Sequence, residues 1–432
     1  MLSNDFQALD ELRPLAEKCP RCSLCKFPPL VRVEDAASSG VCPSYEEFKV
    51  HASSGGGLLV MALSLLDGRS EVTETFRRLV YGCHACGACD VSCKFSSDIE
   101  VQETLLHLRA RVLSERGPLP GHAAVLDAIA RFGHPLPAKP TPLGEALTAL
   151  DLPRRRGAPV LVWVGPHFAL DPDRHATLRR SIALLERGGL RVTTLGADEP
   201  YVGRAALEIG DRHLFRRLAI DAARAIDASG AERVVCLSAE DYATLRADVP
   251  RVASLRTRVE HVVEAYDALL AAGRLVAGRR VERSVTWHDS SYLGRLSEPY
   301  LAWRGVVRKV SGQIEVHDPP RPVRRGGGGC YEPPRRVLAR IPGLRLVEMP
   351  RRREYAFDSG ESGQVEAALP DFASATASRR VAEAERTGAD LLATECPQGH
   401  RVLTTAAADR GGRITVTSLT DRLGESVEGV AS

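Results

Sequence analysis

The residues with most chemistry to offer are eight cysteines near the start of the chain. They fall in two groups, Cys19, Cys22, Cys25 and Cys42, then Cys83, Cys86, Cys89 and Cys93. In each group the first three cysteines have two residues between neighbours. Three thiolates at that spacing can wrap three corners of an iron–sulfur cubane, and the second group completes the run C-x2-C-x2-C-x3-C. Gly87 and Ala88 leave room for backbone to approach such a cluster. Zinc is the rival: two four-thiolate sites would use the same residues, usually as separate C-x2-C pairs. Consecutive triplets fit the cubane better. The chain has eleven cysteines, and the other three, Cys236, Cys330 and Cys396, are isolated. A disulfide framework belongs to small secreted domains, whereas thiolates clustered at one end of a large chain more often hold metal.

The bulk composition sets wide bounds. A chain of 432 residues with 44% apolar content can fill the cores of several domains without disulfide staples. The net charge is only +3, with arginines scattered among nearly as many acids, so nucleic acid is not an expected partner. No basic segment followed by an apolar run opens the sequence, so no export signal is expected. Its most apolar stretches, 57–66 and 159–170, are about half the length needed to cross a bilayer. The expectation is a soluble protein, cytoplasmic by default.

The elements that must hold the cysteines are helical. Residues 4–18, 57–66, 73–80 and 99–115 show helical periodicity, the first through Leu9, Leu12 and Leu15. Residues 1–117 therefore read as one helical domain. Residues 118–157, rich in proline and glycine, read as a helix-containing linker ending in a solvated run, Arg154, Arg155 and Arg156. From residue 158 the texture alternates strand and helix. Strands are expected at 160–164, 191–195, 233–237, 284–287, 344–348 and 391–394. Helices are expected at 173–187, 214–229, 258–272, 335–341 and 372–386. This is the βαβ rhythm of a parallel sheet. The turn Gly230-Ala231-Glu232 before one strand matches Gly388-Ala389-Asp390 before another, so 158–272 and 280–425 read as two copies of one α/β unit. The fold class is multidomain, α followed by α/β.

The second cysteine run has the spacing of bacterial ferredoxins, with Lys94 in place of the usual proline. By that resemblance the fourth cysteine of each group serves the other cluster. One [4Fe–4S] cluster would use Cys19, Cys22, Cys25 and Cys93, the other Cys83, Cys86, Cys89 and Cys42. The long insertion 26–41 before Cys42-Pro43 departs from the ferredoxin spacing. His84, inside a cluster loop, reads either as a donor to cluster sulfide or as an exposed loop residue.

Two cysteine motifs ahead of a duplicated α/β unit resemble the heterodisulfide reductase and glycolate oxidase iron–sulfur subunit family. Its members join a two-cluster ferredoxin domain to two Rossmann-like, cysteine-rich CCG units. In those relatives the CCG cysteines hold a further, catalytic metal site. Here most of that sulfur is gone. Ser290 and Ser291 follow His288-Asp289 where a cysteine is expected, Asp358-Ser359-Gly360 replaces one Cys-Cys-Gly element, and Cys396-Pro397-Gln398-Gly399 keeps one cysteine of two. In the first copy Glu199-Pro200-Tyr201-Val202-Gly203 and Ser238-Ala239-Glu240-Asp241 take the equivalent places. No noncubane cluster is expected, and His288, Asp289, Asp358 and Cys396 leave only a minor prospect of a hard-ligand metal site. The pocket reads as vestigial, the fold as a docking scaffold, and Cys236 as a buried strand residue. Cys330 follows the glycine run 326–329, read as a flexible loop. No G-x-G-x-x-G follows a strand and no Gly-Lys-Ser/Thr follows the glycine run, so neither FAD nor NAD is expected on this chain. The resemblance implies an electron-transfer subunit. Its partners would be an FAD-containing dehydrogenase or oxidase and a quinone-linked membrane subunit or soluble acceptor. It would reside in the cytoplasm, or peripherally on the inner membrane face through a partner. The alternative is a heterodisulfide reductase-like catalytic subunit with a modified metal site.

Overall fold

The computed structural model describes residues 8–27, 35–299, 301, 303–312, 314–320, 322, 324 and 326–427. Residues 4–7 of the first expected helix and 28–34 of the expected insertion lie outside that set. What is described of the first element is a 3-10 turn, Leu9–Leu12, running into α1, Arg13–Glu17, with Leu9, Leu12 and Ala16 buried.

Helices follow as α2 (Pro43–Phe48), α3 (Gly55–Leu66), α4 (Glu74–Tyr81), α5 (Ala88–Ser97) and α6 (Val101–Arg116). Among the described residues no strand precedes Val160. Ser54 caps α3 by accepting from the Gly57 N–H at 3.3 Å, and Thr73 caps α4 by accepting from Phe76 at 3.1 Å. Leu58 and Ala62 of α3 pack on Leu105 and Leu108 of α6 to form the core of this part. The segment expected as a linker carries α7 (Pro120–Phe132) and α8 (Leu143–Ala149). It does not hang free: Val125, Ile129, Leu143 and Leu147 share one core with the sheet that follows.

That sheet is built from β1 (Val160–Trp163), α9 (Pro166–Ala169), α10 (Pro172–Arg187), β2 (Val192–Thr193), α11 (Arg204–Ile209), α12 (Arg212–Ser229), β3 (Arg233–Cys236), α13 (Ala239–Ala243), β4 (Arg258–His261) and α14 (Val262–Ala271). Its strands are parallel in the order β2-β1-β3-β4. The uninterrupted apolar run of β1 suits a strand buried on both faces. The helix expected over 258–272 is corrected: its first four residues are β4, and the helix begins at Val262. The alternation of Val259 and His261 against exposed Arg258 is a strand pattern that the apolar helix behind it masks.

The second sheet contains β5 (Arg283–Trp287), then a separate antiparallel hairpin of β6 (Val306–Val310) and β7 (Ile314–Asp318), then α15 (Glu332–Ala339), β8 (Leu344–Leu346), α16 (Val365–Ala368), α17 (Pro370–Glu385), β9 (Leu391–Thr394), α18 (Pro397–Asp409), β10 (Thr415–Ser418) and α19 (Leu419–Ser426). It is parallel in the order β10-β9-β5-β8. The strand orders place a reversal of chain direction across each sheet, beside β1 in the first and between β5 and β9 in the second. Open α/β sheets bind ligands at the carboxyl ends of strands flanking such a switch. The sequence pattern does not predict the exposed hairpin, because a two-stranded insertion has no counterpart in the βαβ rhythm. No helix among the described residues is long and apolar enough to cross a membrane.

Candidate functional site

The cysteines are gathered by helices α3 and α5. Cys89 and Cys93 lie one turn apart on α5, and the start of α3 is Gly55-Gly56-Gly57, a costly way to open a helix. Close approach explains it. A Cβ on Gly55 would lie 3.2 Å from Cys89 Sγ, and one on Gly56 would lie 3.5 Å from Cys25 Sγ and 3.7 Å from Cys19 Sγ. The Gly56 N–H instead donates to Cys25 Sγ at 3.3 Å. Cys19, Cys25, Cys89 and Cys93 share one apolar pocket with Leu59, Ile99 and Val101. Cys22 is exposed on the turn between Cys19 and Cys25.

Two juxtapositions cross the groups. Cys93 hydrogen-bonds Cys25, which lowers the Cys25 pKa to about 6 and raises that of Cys93. Burial holds the Cys42 thiol far above the usual range, and it lies within electrostatic reach of Cys83 and Cys86 and, more weakly, of Cys25. Burial likewise raises Cys83 and Cys89 and pushes Cys86 up to about 12. Buried neighbouring thiols are poor anions by themselves, and iron is the cation that would take their protons' place. The donor set and the glycine cradle therefore fit iron–sulfur clusters.

Buried cations surround the second group. Arg109 donates to the Cys83 carbonyl and, at 2.7 and 3.0 Å, to the carbonyls of Glu208 and Gly363. Arg295 donates from Nε to the Cys86 carbonyl at 2.8 Å and to the Ala356 carbonyl at 2.7 Å. Each arginine thus ties a cluster loop to the α/β sheets. His84 does the same, and neither sequence reading of it holds. Its ring is buried, with Nε2 3.1 Å from Thr376 Oγ1, Nδ1 3.4 Å from the Ser362 carbonyl and 3.6 Å from Asp358, and its face on Phe372. Lys94, in the place of the usual proline, is buried 3.6 Å from Asp90 and 3.8 Å from Glu100.

The degenerate CCG elements converge as well, but on each other. Ser290 donates to Glu361, Ser359 donates to Glu361 at 2.9 Å, and Ser291 and Ser362 donate to Asp358 at 2.6 and 2.7 Å. Cys396 is 1% exposed and its thiol donates to Gln398 at 3.4 Å. In the first sheet Glu199 accepts from the N–H groups of Val164 and Gly165, and Tyr201 donates to Glu240 at 2.9 Å. Gln398 donates to Glu240 and so joins the two sets. Hydroxyls and carboxyls fill the places where a further cluster would need thiolates, so the residues do not fit a noncubane cluster. A hard-ligand metal site is not formed either. Asp289 is held by Arg335 at 2.8 Å and His288 accepts from Arg380 at 3.0 Å, so both side chains are committed to arginines. Burial raises Glu199, Glu361 and Glu395 to about 7. Cys236 is buried in β3, as expected. Cys330 is also buried, its N–H on the Leu293 carbonyl at 3.0 Å, because Gly329 lets the chain lie against Gly294, where a Cβ would come within 2.0 Å of the carbonyl oxygen.

A family model described as a 4Fe-4S dicluster domain matches residues 15–97, and one described as a cysteine-rich CCG domain matches 316–404. The chain therefore carries an iron–sulfur dicluster domain and a CCG domain. Its relatives are heterodisulfide reductase D subunits and related iron–sulfur oxidoreductases. The D subunit of the dihydromethanophenazine:CoB–CoM heterodisulfide reductase of Methanosarcina acetivorans is 26% identical, over 88% of this chain and 86% of that one. The probable iron-sulfur-binding oxidoreductase FadF of Bacillus subtilis is 25% identical over 72% of this chain and 41% of its own. The EtfAB:quinone oxidoreductase of Syntrophomonas wolfei is 23% identical over 61% and 39%. A hypothetical protein from Helicobacter pylori shares the fold, with a TM-score of 0.54 at 10% identity, covering 88% of this chain and 68% of that one.

Proposed function

We propose that the chain is the electron-transfer subunit of an oxidoreductase complex. Electrons arrive from an FAD-containing dehydrogenase or oxidase and leave to a quinone-linked membrane partner or a soluble carrier. The protein works in the cytoplasm or against the inner membrane face through that partner. The ligand sets are Cys19, Cys22, Cys25 and Cys93 for one [4Fe–4S] cluster, and Cys83, Cys86, Cys89 and Cys42 for the other. Such clusters, when bound, take up and release single electrons. The α/β sheets are duplicated units, 158–272 and 280–425, joined to the helical domain 1–117 by the brace 118–157.

The observation that carries this reading is the crossing of the cysteines, with Cys93 against Cys25 and Cys42 beside Cys83 and Cys86. The two sites so formed are neighbours, which suits a relay. Arg109 and Arg295 place positive charge beside the second set and favour its reduced form. A heterodisulfide reductase-type catalytic role is opposed by the oxygen donors at Ser290, Ser291, Asp358 and Glu361. The test is the native complex mixed rapidly with the donor's substrate: cluster absorbance should bleach within one turnover of the flavin. Turnover with clusters left oxidised would overturn the proposal.

A further inference from the structure

A cavity of about 720 Å³ lies between the two sheets and the brace. That is the size range of small-molecule sites, where apolar walls enclose a few placed polar groups. Its floor comes from the switch points of both sheets. His167 follows β1, Glu240 follows β3, and Gln398 follows β9, with Glu361 beside them. Its wall is apolar, from Val125 and Leu136 of the brace and Leu170.

The charges at this cavity select the kind of ligand. Arg401 at the rim is engaged by Glu366 at 2.7 Å, and Arg174 by His400 and by Asp171 at 3.8 Å. Asp173 adds a further acid at the rim, leaving Lys139 against it. A phosphate or other strong anion would meet Glu240 and Glu361 at the floor with little cationic return. A neutral ligand suits this lining. A carboxyl buried as Glu361 is, and lifted to about 7, can serve such a ligand either as hydrogen-bond donor or as acceptor. That ability suits a molecule that alternates between carbonyl and hydroxyl. A disulfide would need a sulfur or metal partner for the first thiol released, and Cys396 lies behind Gln398 and is not among the described residues that line the cavity.

The floor is also the back of a cluster loop's support. Glu361 lies in the turn whose Asp358 and Ser362 contact His84 on the other side. Gly363 presses so closely there that a Cβ would come within 2.3 Å of the His84 carbonyl oxygen. One turn of chain separates the Cys83–Cys86 loop from the cavity.

We propose that this cavity binds the neutral head group of a quinone, its ring against Val125, Leu136 and Leu170 and one carbonyl toward the Glu361 and Glu240 floor. This rests on the electron-transfer reading and names the acceptor within it. The test uses the full chain, purified anaerobically with its clusters, in equilibrium dialysis against 2,3-dimethyl-1,4-naphthoquinone, whose blocked ring positions cannot add thiols. One saturable site per chain is expected. Ala124→Trp, a wedge from the exposed side of α7, should weaken binding at least ten-fold, and Glu361→Gln several-fold, with dithionite bleaching of the clusters unchanged. Absence of saturable binding, equal affinity in both variants, or displacement by FMN or glutathione disulfide would overturn the inference. If wild-type protein bleaches normally yet binds no quinone, this inference alone falls. If the clusters do not bleach at all, the electron-transfer reading falls with it.

Discussion

Glu199 shows what burying a carboxyl in the first sheet costs. It is buried with two backbone N–H donors, and burial lifts it to about 7 against 4.5 for the free group. A folded-state pKa above the unfolded one means that stability is full below the unfolded value and is lost as pH rises through 7. A shift of that size corresponds to about 3 kcal/mol. Glu199→Gln should therefore gain about 2 kcal/mol, most of that amount, relative to wild type between pH 5 and pH 8, whatever pH-independent cost it carries. Denaturant melts at the two pH values check this, and an identical difference at both would refute it. Arg295 offers a second prediction. Arg295→Gln should move the potential of the cluster beside Cys86 to more negative values, and Arg295→Lys should restore most of the shift, read by an EPR-monitored redox titration. At this scale the gathering of the cysteines was legible, because thiols two or three residues apart cannot lie far from one another in the fold. Arg109, Arg295 and His84 were not, because their partners Gly363, Cys86 and Thr376 lie far away in sequence.

The first turn of α3 and the brace make the case for elements. The sequence pattern predicts that helix over 57–66, and it begins at Gly55 because glycine's poor propensity hides a turn that close approach to sulfur demands. Gly55→Val should displace Cys89, whose Cβ would sit 2.9 Å from the new one, and lower iron content. In the brace, a Cβ on Gly121 would come within 1.6 Å of the Ala367 carbonyl oxygen. Gly121→Leu should push α7 off α16 and destabilise by roughly 1–3 kcal/mol, measurable by thermal melting. Val125 and Leu143 explain why the segment 118–157 resists reading: its proline and glycine content suggests a spacer, while its apolar faces find their partner only on the folded sheet. The β4 strand is hidden for a related reason, since Arg258–His261 runs without a turn into α14.

For the whole molecule, the parallel βαβ rhythm was legible because central strands such as Val160–Trp163 are continuously apolar. The place where the sheets meet was not, since the Gln398–Glu240 contact joins residues 158 apart. The proposed assignment, eight crossed cysteines for two cubanes and no further cluster in the CCG region, sets the metal content to expect of the chain. Metal and sulfide analysis of anaerobically purified protein, with Cys93→Ser beside it, reads that content directly. About eight iron and eight labile sulfide per chain are expected, with loss of the cluster shared with Cys19, Cys22 and Cys25 in the variant. Zinc in place of iron, or iron well above eight, would contradict the two-cubane assignment.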